Sequence, residues 1–183
     1  MSIEYTDGRS VSVFIDENKN LAAISYILNP EYKLDPEASM DELWSPPVPP
    51  MFPSKTVFEL KYPYTLEELT NFIKQGLDAW NKLEPYKGKS KTPEERYYKI
   101  SGFKNATRGK KSLTLDWDPR PQVDNKVSIC LPVKAGRYYL GMEIVFLPND
   151  ADYEDYAKAA MELIEMDIEQ TLAYKAYKKK LNI

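Results

Sequence analysis

The chain has 183 residues, 43% of them apolar and 29% charged, with a net charge of −3. That apolar fraction suffices for a packed core and argues against disorder, and the charge gives no overall attraction to nucleic acid or to an anionic membrane. Histidine is absent and Cys130 is the single cysteine, which removes the commonest general base and metal ligand, the Ser-His and Cys-His dyads, and any intrachain disulfide.

The expectation from composition is a non-enzymatic protein with no cofactor and no metal, folded as one domain over 1–183. The segment MSIEYTDGRS carries neither a basic nor an apolar signal region, and no window approaches the ~20 apolar residues of a membrane span. With a lone cysteine, these features predict a cytoplasmic location. Cys130 itself reads as a small buried hydrophobe.

In chain order, Ser10–Ile15 alternates, with Val11, Val13 and Ile15 on one face. The polar cluster at 16–20 and the apolar run Leu21–Leu28 complete a predicted hairpin. Residues 30–54 hold prolines at 30, 36, 46, 47, 49, 50 and 53. This is a proline-rich strap, extended around its Pro-Pro-Val-Pro-Pro core, with room for one helical turn over Pro36–Leu43. Its Trp44, Met51 and Phe52 are candidates to seal the core. Thr56–Tyr62 is a further strand candidate.

Thr65 and Glu68 have the spacing of a capping box, and Leu66, Leu69, Phe72, Ile73, Leu77, Trp80 and Leu83 follow at helical spacing. Gly76, inside that helix, costs about 1 kcal/mol against alanine, so a close packing contact is expected there. The basic stretch 86–93 reads as a loop, followed by a short turn started by Pro93.

Three strands then form a predicted antiparallel meander. Lys111–Trp117 places Leu113, Leu115 and Trp117 on one face. Lys126–Leu131 ends at Pro132, which cannot donate to a ladder. Tyr138–Leu147 is apolar in both of its rows and reads as a central strand covered on both faces. Asn149–Asp152 supplies N-cap candidates for a long C-terminal helix of about 40 Å, running past Ile168, Thr171 and Leu172 to Lys178–Lys180. No internal repeat is visible. The fold class is therefore α+β: an antiparallel-rich β-sheet packed against a central helix and a long C-terminal helix.

Phosphate-binding glycine loops, zinc spacings and calcium loops are absent. Asp116 and Asp118 share a face if the strand continues, and with Glu143 they could serve a carboxylate-dependent, metal-assisted hydrolase. Lys104, Arg108, Lys110 and Lys111, with Tyr97, Tyr98 and Phe103, have the composition of a nucleic-acid patch. The acidic balance of the whole chain makes that partner the less favoured one. The 14 tyrosines and 3 tryptophans suit a protein-protein interface as well as a core.

The segment Tyr97-Tyr98-Lys99-Ile100-Ser101-Gly102-Phe103-Lys104 resembles a stretch found in the immunity proteins of bacterial contact-dependent growth inhibition systems. Tyr97, Ile100, Gly102 and Lys104 fit the pattern, as do Leu131-Pro132 and the acidic helix that follows. Asn105 stands where serine is usual, and the strap at 30–54 has no counterpart. The resemblance covers the last 90 or so residues.

It implies an immunity protein that binds and neutralises the C-terminal toxin domain of a CdiA-type exoprotein, a nuclease, by occluding its active site. An acidic inhibitor would steer quickly to a basic nuclease. The contacts expected on this basis are Asp116, Trp117, Asp118 and Glu143, with Asp152, Glu154 and Asp155 as a second acidic patch.

Overall fold

The computed structural model describes residues 8–29, 51–86, 91–117, 127–135 and 138–181. The expected turn over Pro36–Leu43, Trp44, the polyproline run and Asp118 lie outside these residues.

Six strands form one sheet: β1 (Arg9–Ile15), β2 (Leu21–Leu28), β3 (Met51–Leu60), β4 (Lys111–Trp117), β5 (Val127–Ala135) and β6 (Tyr138–Leu147). The order is β3-β2-β1-β4-β5-β6, with every neighbouring pair antiparallel. The sheet is therefore two consecutive three-stranded meanders, joined along a β1–β4 seam that runs from Arg9 opposite Trp117 to Ile15 opposite Lys111. Each meander leads to a helix, α1 (Leu66–Asp78) after the first and α4 (Tyr153–Glu165) after the second. A βββα unit thus occurs twice in topology, although no repeat shows in the residues.

Both helices pack on one face of the sheet. Leu69, Phe72, Ile73 and Leu77 of α1 join Tyr156, Ala157, Ala160, Leu163 and Ile164 of α4. Beneath them are Val11, Val13, Ile15, Leu21, Ala23, Leu113, Leu115, Trp117, Val127, Ile129 and Leu131. The alternation seen in β1 and β4 is the signature of this face, because successive side chains in a strand point to opposite sides. At Gly76 α1 comes close to the sheet: a Cβ there would sit 3.1 Å from Cγ1 of Val11. The capping box at Thr65 and Glu68 is formed.

Two short helices, α2 (Pro93–Tyr98) and α3 (Phe103–Ala106), separate the units. α2 lies on the second face, against β3 of the first meander, and α3 packs on α2. Tyr97 bonds to Glu59, whose place in β3 is opposite Ala22 on that face. A second capping box, Thr92 with Glu95, starts α2, and Glu95 also accepts from the Gly102 N–H at 2.5 Å. The segment that carries the immunity-protein resemblance is thus a helix–turn–helix with Lys99 and Gly102 at positive φ.

Four boundaries differ from expectation. β3 begins at Met51, so 51–54 of the expected strap is strand. β5 continues through Pro132 to Ala135. Its pairing with β4 stops at Cys130, so the proline faces no β4 ladder that it could break. β6 is an outer strand rather than a central one. The long C-terminal helix is interrupted: α4 ends at Glu165, a 3-10 turn covers Ile168–Gln170, and α5 spans Leu172–Leu181. The break has a local cause. The Asp167 carboxylate accepts from the Glu169 N–H and starts the turn, while the Lys111 ammonium binds the carbonyls of Ile164 and Met166 at 2.9 and 2.6 Å. Carbonyls held in that way are satisfied without a continuing helix.

Candidate partner-binding surface

Over the second meander no described helix covers the second face. Cross-strand register sets its rows. Asp116 lies opposite Ser128, which lies opposite Phe146; Thr114 lies opposite Cys130, which lies opposite Ile144; Pro132 lies opposite Met142. Small and polar side chains thus fill β4 and β5, and large apolar ones fill the outer strand. Met142, Ile144 and Phe146 are 49%, 45% and 55% exposed, and Tyr138 and Tyr139 at the start of the strand are exposed as well. Tyr138 and Tyr139 are neighbours and point to opposite faces, Tyr138 toward Tyr177 of α5. With roughly 100 Å² left open on each of the other four side chains, the patch is on the order of 400 Å², within the range of the largest patch on a monomeric protein.

Of the expected contact residues that are described, Asp116 alone shares this face. Its side chain is half-buried, about two strand spacings (~10 Å) from Phe146. Its carbonyl accepts from the buried Tyr156 hydroxyl at 3.0 Å. Burial and the Asp116 charge together push that phenol up, and the same two causes raise the Cys130 thiol. Cys130 is half-buried on the second face rather than in the core, and it is kept protonated, hence a poor nucleophile.

Trp117 is 6% exposed and belongs to the core. Glu143 pairs with the buried Leu131 and so points to the helix side. The sheet therefore separates it from Asp116, and the two carboxylates cannot meet around one ion. Among the described residues no group of three or more acids, cysteines or histidines could hold a metal.

The second acidic patch is built into α4. Asp152 is the N-cap, accepting from the N–H groups of Glu154 and Asp155, and Asp155 completes the box by accepting from the Asp152 N–H at 3.1 Å. The bonds from Asp155 and Glu154 hold the Asp152 carboxyl below its ordinary value. Glu154 is exposed and pairs with Lys158 at 2.7 Å. Asp152 and Asp155 are thus occupied in capping, which leaves Glu154 as the outward charge.

The basic cluster is dispersed in the same way. Lys110 sits 4.1 Å from the Tyr98 ring centroid, Arg108 donates to Asn105, and Lys111 is turned inward to the end of α4. Burial lowers the pKa of that last lysine. The residues that sequence reasoning missed are Met142, Ile144 and Phe146. Their row was visible, but a covered row and a docking row have the same period.

No protein-family model matches the chain, and no curated protein matches it. Among solved structures it is similar to a protein of unknown function from Neisseria meningitidis, at 10% identity over 90% of this chain and 98% of that one, with a TM-score of 0.45. It is also similar to a chain of the CdiA-CT/CdiI toxin and immunity complex from Yersinia pseudotuberculosis, at 11% identity over 88% of this chain and 97% of that one, with a TM-score of 0.45. Neither overlap assigns a role to any residue here. No described helix is long and apolar enough to cross a membrane.

Proposed function

We propose that this chain is an immunity-type binding protein that neutralises the C-terminal toxin domain of a CdiA-type exoprotein by covering its active site, and that it performs no chemistry of its own. The observation that carries the reading is the exposed apolar row on β6. Side chains of that size are left in water mainly where a partner will cover them. The resemblance at Tyr97, Ile100, Gly102 and Lys104 supplies the class of partner. The structural overlaps add nothing to either point.

In this reading Met142, Ile144 and Phe146 form the desolvated centre of the contact. Asp116 lies at its rim, and Glu154 on α4 contributes to steering a basic toxin, a rate effect that weakens with salt. Trp117, the next residue of the same strand, anchors it from the core face.

Calorimetric titration against the toxin domain encoded beside this chain is the test. One-to-one binding is expected, and Phe146→Asp should weaken it by a factor of a hundred or more, about 3 kcal/mol, with an unchanged melting temperature. Absence of binding by the unmodified chain would end the reading. Equal binding by the Phe146→Asp variant would end the choice of surface.

A further inference from the structure

The two βββα units each have an outer strand, and the chain treats the two edges in opposite ways. The free edge of β3 is blocked by its own chain. The Tyr86 N–H donates to the Pro53 carbonyl at 2.8 Å, the Lys55 N–H donates to the Glu84 carbonyl at 3.0 Å, and Ser54 bridges Pro85. β3 also contains Pro53, Lys55 and Lys61 just beyond it, and it has a register shift against β2. Proline, lysine, an irregularity and a covering segment are the devices by which sheets avoid pairing with other chains. From Gly141 to Leu147, β6 has no proline and no lysine, and Glu143 is its single charge. Among the described residues no strand pairs with its outer side.

We infer that, when no other partner is present, a second copy of this chain pairs with β6, antiparallel about a two-fold axis through Ile144. The register follows from the residues. An axis perpendicular to the sheet keeps like faces together, so residues that oppose one another must have positions of equal parity. Centred on Ile144, that symmetry sets Ile144 against itself, Met142 against Phe146 of the second copy, and Phe146 against its Met142. The apolar row is then continuous across both copies. On the helix side Glu143 falls opposite Val145 of the second copy, so no like charges are directly opposed.

The same register avoids the end of β6 that is already in use. Pairing about Ile144 engages positions 141–147 and leaves out Tyr138–Leu140. Near that end α5 packs close, with the Ala173 Cβ 3.5 Å from where a Cβ on Gly141 would lie, and Tyr177 reaches Tyr138 at 6.2 Å between ring centroids. The register shift between Val133 and Lys134 is at that end too.

An isologous contact of this kind closes on itself as a dimer and cannot propagate. Three half-open side chains and one strand edge bury roughly 400–500 Å² per copy, so the total is about 800–1,000 Å², at the weak end of specific interfaces. The dimer is therefore a concentration-dependent one that forms in the micromolar range or above. A partner that covers the same row more fully displaces the second copy, so dimer and complex are mutually exclusive.

Sedimentation equilibrium of the full chain, from low micromolar to near-millimolar concentration, tests the pairing. The unmodified chain should move from the mass of one copy to that of two and no further. Ile144→Lys, which sets two ammonium groups face to face on the axis, should stay at one copy. Tyr139→Lys, outside the register, should dimerise as the unmodified chain does. Circular dichroism of each variant verifies that these exposed positions tolerate lysine. A single-copy mass throughout overturns the proposal, and so does dimerisation of Ile144→Lys or loss of the dimer in Tyr139→Lys. The pairing does not depend on the toxin reading: a dimer without toxin binding removes only that reading, and toxin binding by a strictly single-copy chain removes only the pairing.

Discussion

The first and second βββα units share a topology and a helix-side core, yet they diverge on the other face. In the first, Phe14, Ala22 and Ile24 are buried on the face where α2 packs against β3, and the outer strand is closed off by the segment around Pro85. In the second, the equivalent face carries Thr114, Ser128 and Cys130 in its inner strands and an exposed apolar row on the outermost one. One half uses its second face for stability and the other holds it available. The insertion of α2 and α3 between the units is what separates the two outcomes.

The sharpest way to break that comparison uses two isoleucines on the same face of the same sheet. Ile24 is 1% exposed and Ile144 is 45% exposed. Ile24→Ala should cost about 2–5 kcal/mol of unfolding free energy, from lost transfer and a residual cavity. Ile144→Ala should cost less than about 1 kcal/mol. Urea midpoints at unchanged slope measure both, and equal losses would mean that the second half is covered after all.

Next in size is the seam. The Lys111 ammonium, from β4, holds the last carbonyls of α4. Lys111→Met retains the aliphatic stem and removes two charge-assisted bonds, so a loss of about 1.5–3 kcal/mol is expected in the same assay. Hydrogen exchange should rise in the last turn of α4 and leave α1 protected. Uniform deprotection would contradict this local role.

A smaller effect tests how tightly α1 lies on β1. Gly76→Ala gains about 1 kcal/mol of helix propensity. It forces a methyl group against the buried Val11, and overpacking of that kind costs roughly 1–3 kcal/mol. A net loss of about 1 kcal/mol is predicted, and the Val11→Ala background should turn it into a gain.

The smallest effect concerns the α4 cap. Asp152→Ala should cost about 1 kcal/mol at neutral pH. The Asp152 carboxyl titrates lower in the folded chain than in the unfolded one. Its contribution is therefore complete above the ordinary aspartate value near pH 4, and it is lost as pH falls through the lower folded value. The variant and the unmodified chain should converge in stability in acid; a gap that persists there would remove the cap's electrostatic part.

Most of the fold could be read from local pattern. Leu113, Leu115 and Trp117 announce their face by alternation, and Thr65 with Glu68 announces a helix start by spacing. What could not be read depended on partners distant in sequence. Both rows of β6 are apolar, and periodicity cannot separate a row covered by helices from one left for docking. Asp116 and Glu143 looked convergent until register placed them on opposite sides of the sheet. The course Ile164, Ile168, Thr171, Leu172 keeps helical spacing across the break, with no proline or glycine to mark it. The available hint was Asp167 two residues before Glu169, a turn-starting arrangement that the spacing outweighed.

The β1–β4 seam has a further consequence for how the molecule is made. Arg9 waits for Trp117, so during synthesis the first meander emerges from the ribosome with its inner border bare until β4 follows. Closing so long an intervening stretch is entropically slow. Over that interval the inner border of β1, which the finished sheet covers, is the one left unsatisfied, because the segment around Pro85 already closes β3, and the stage most prone to misassociation falls before the second unit exists.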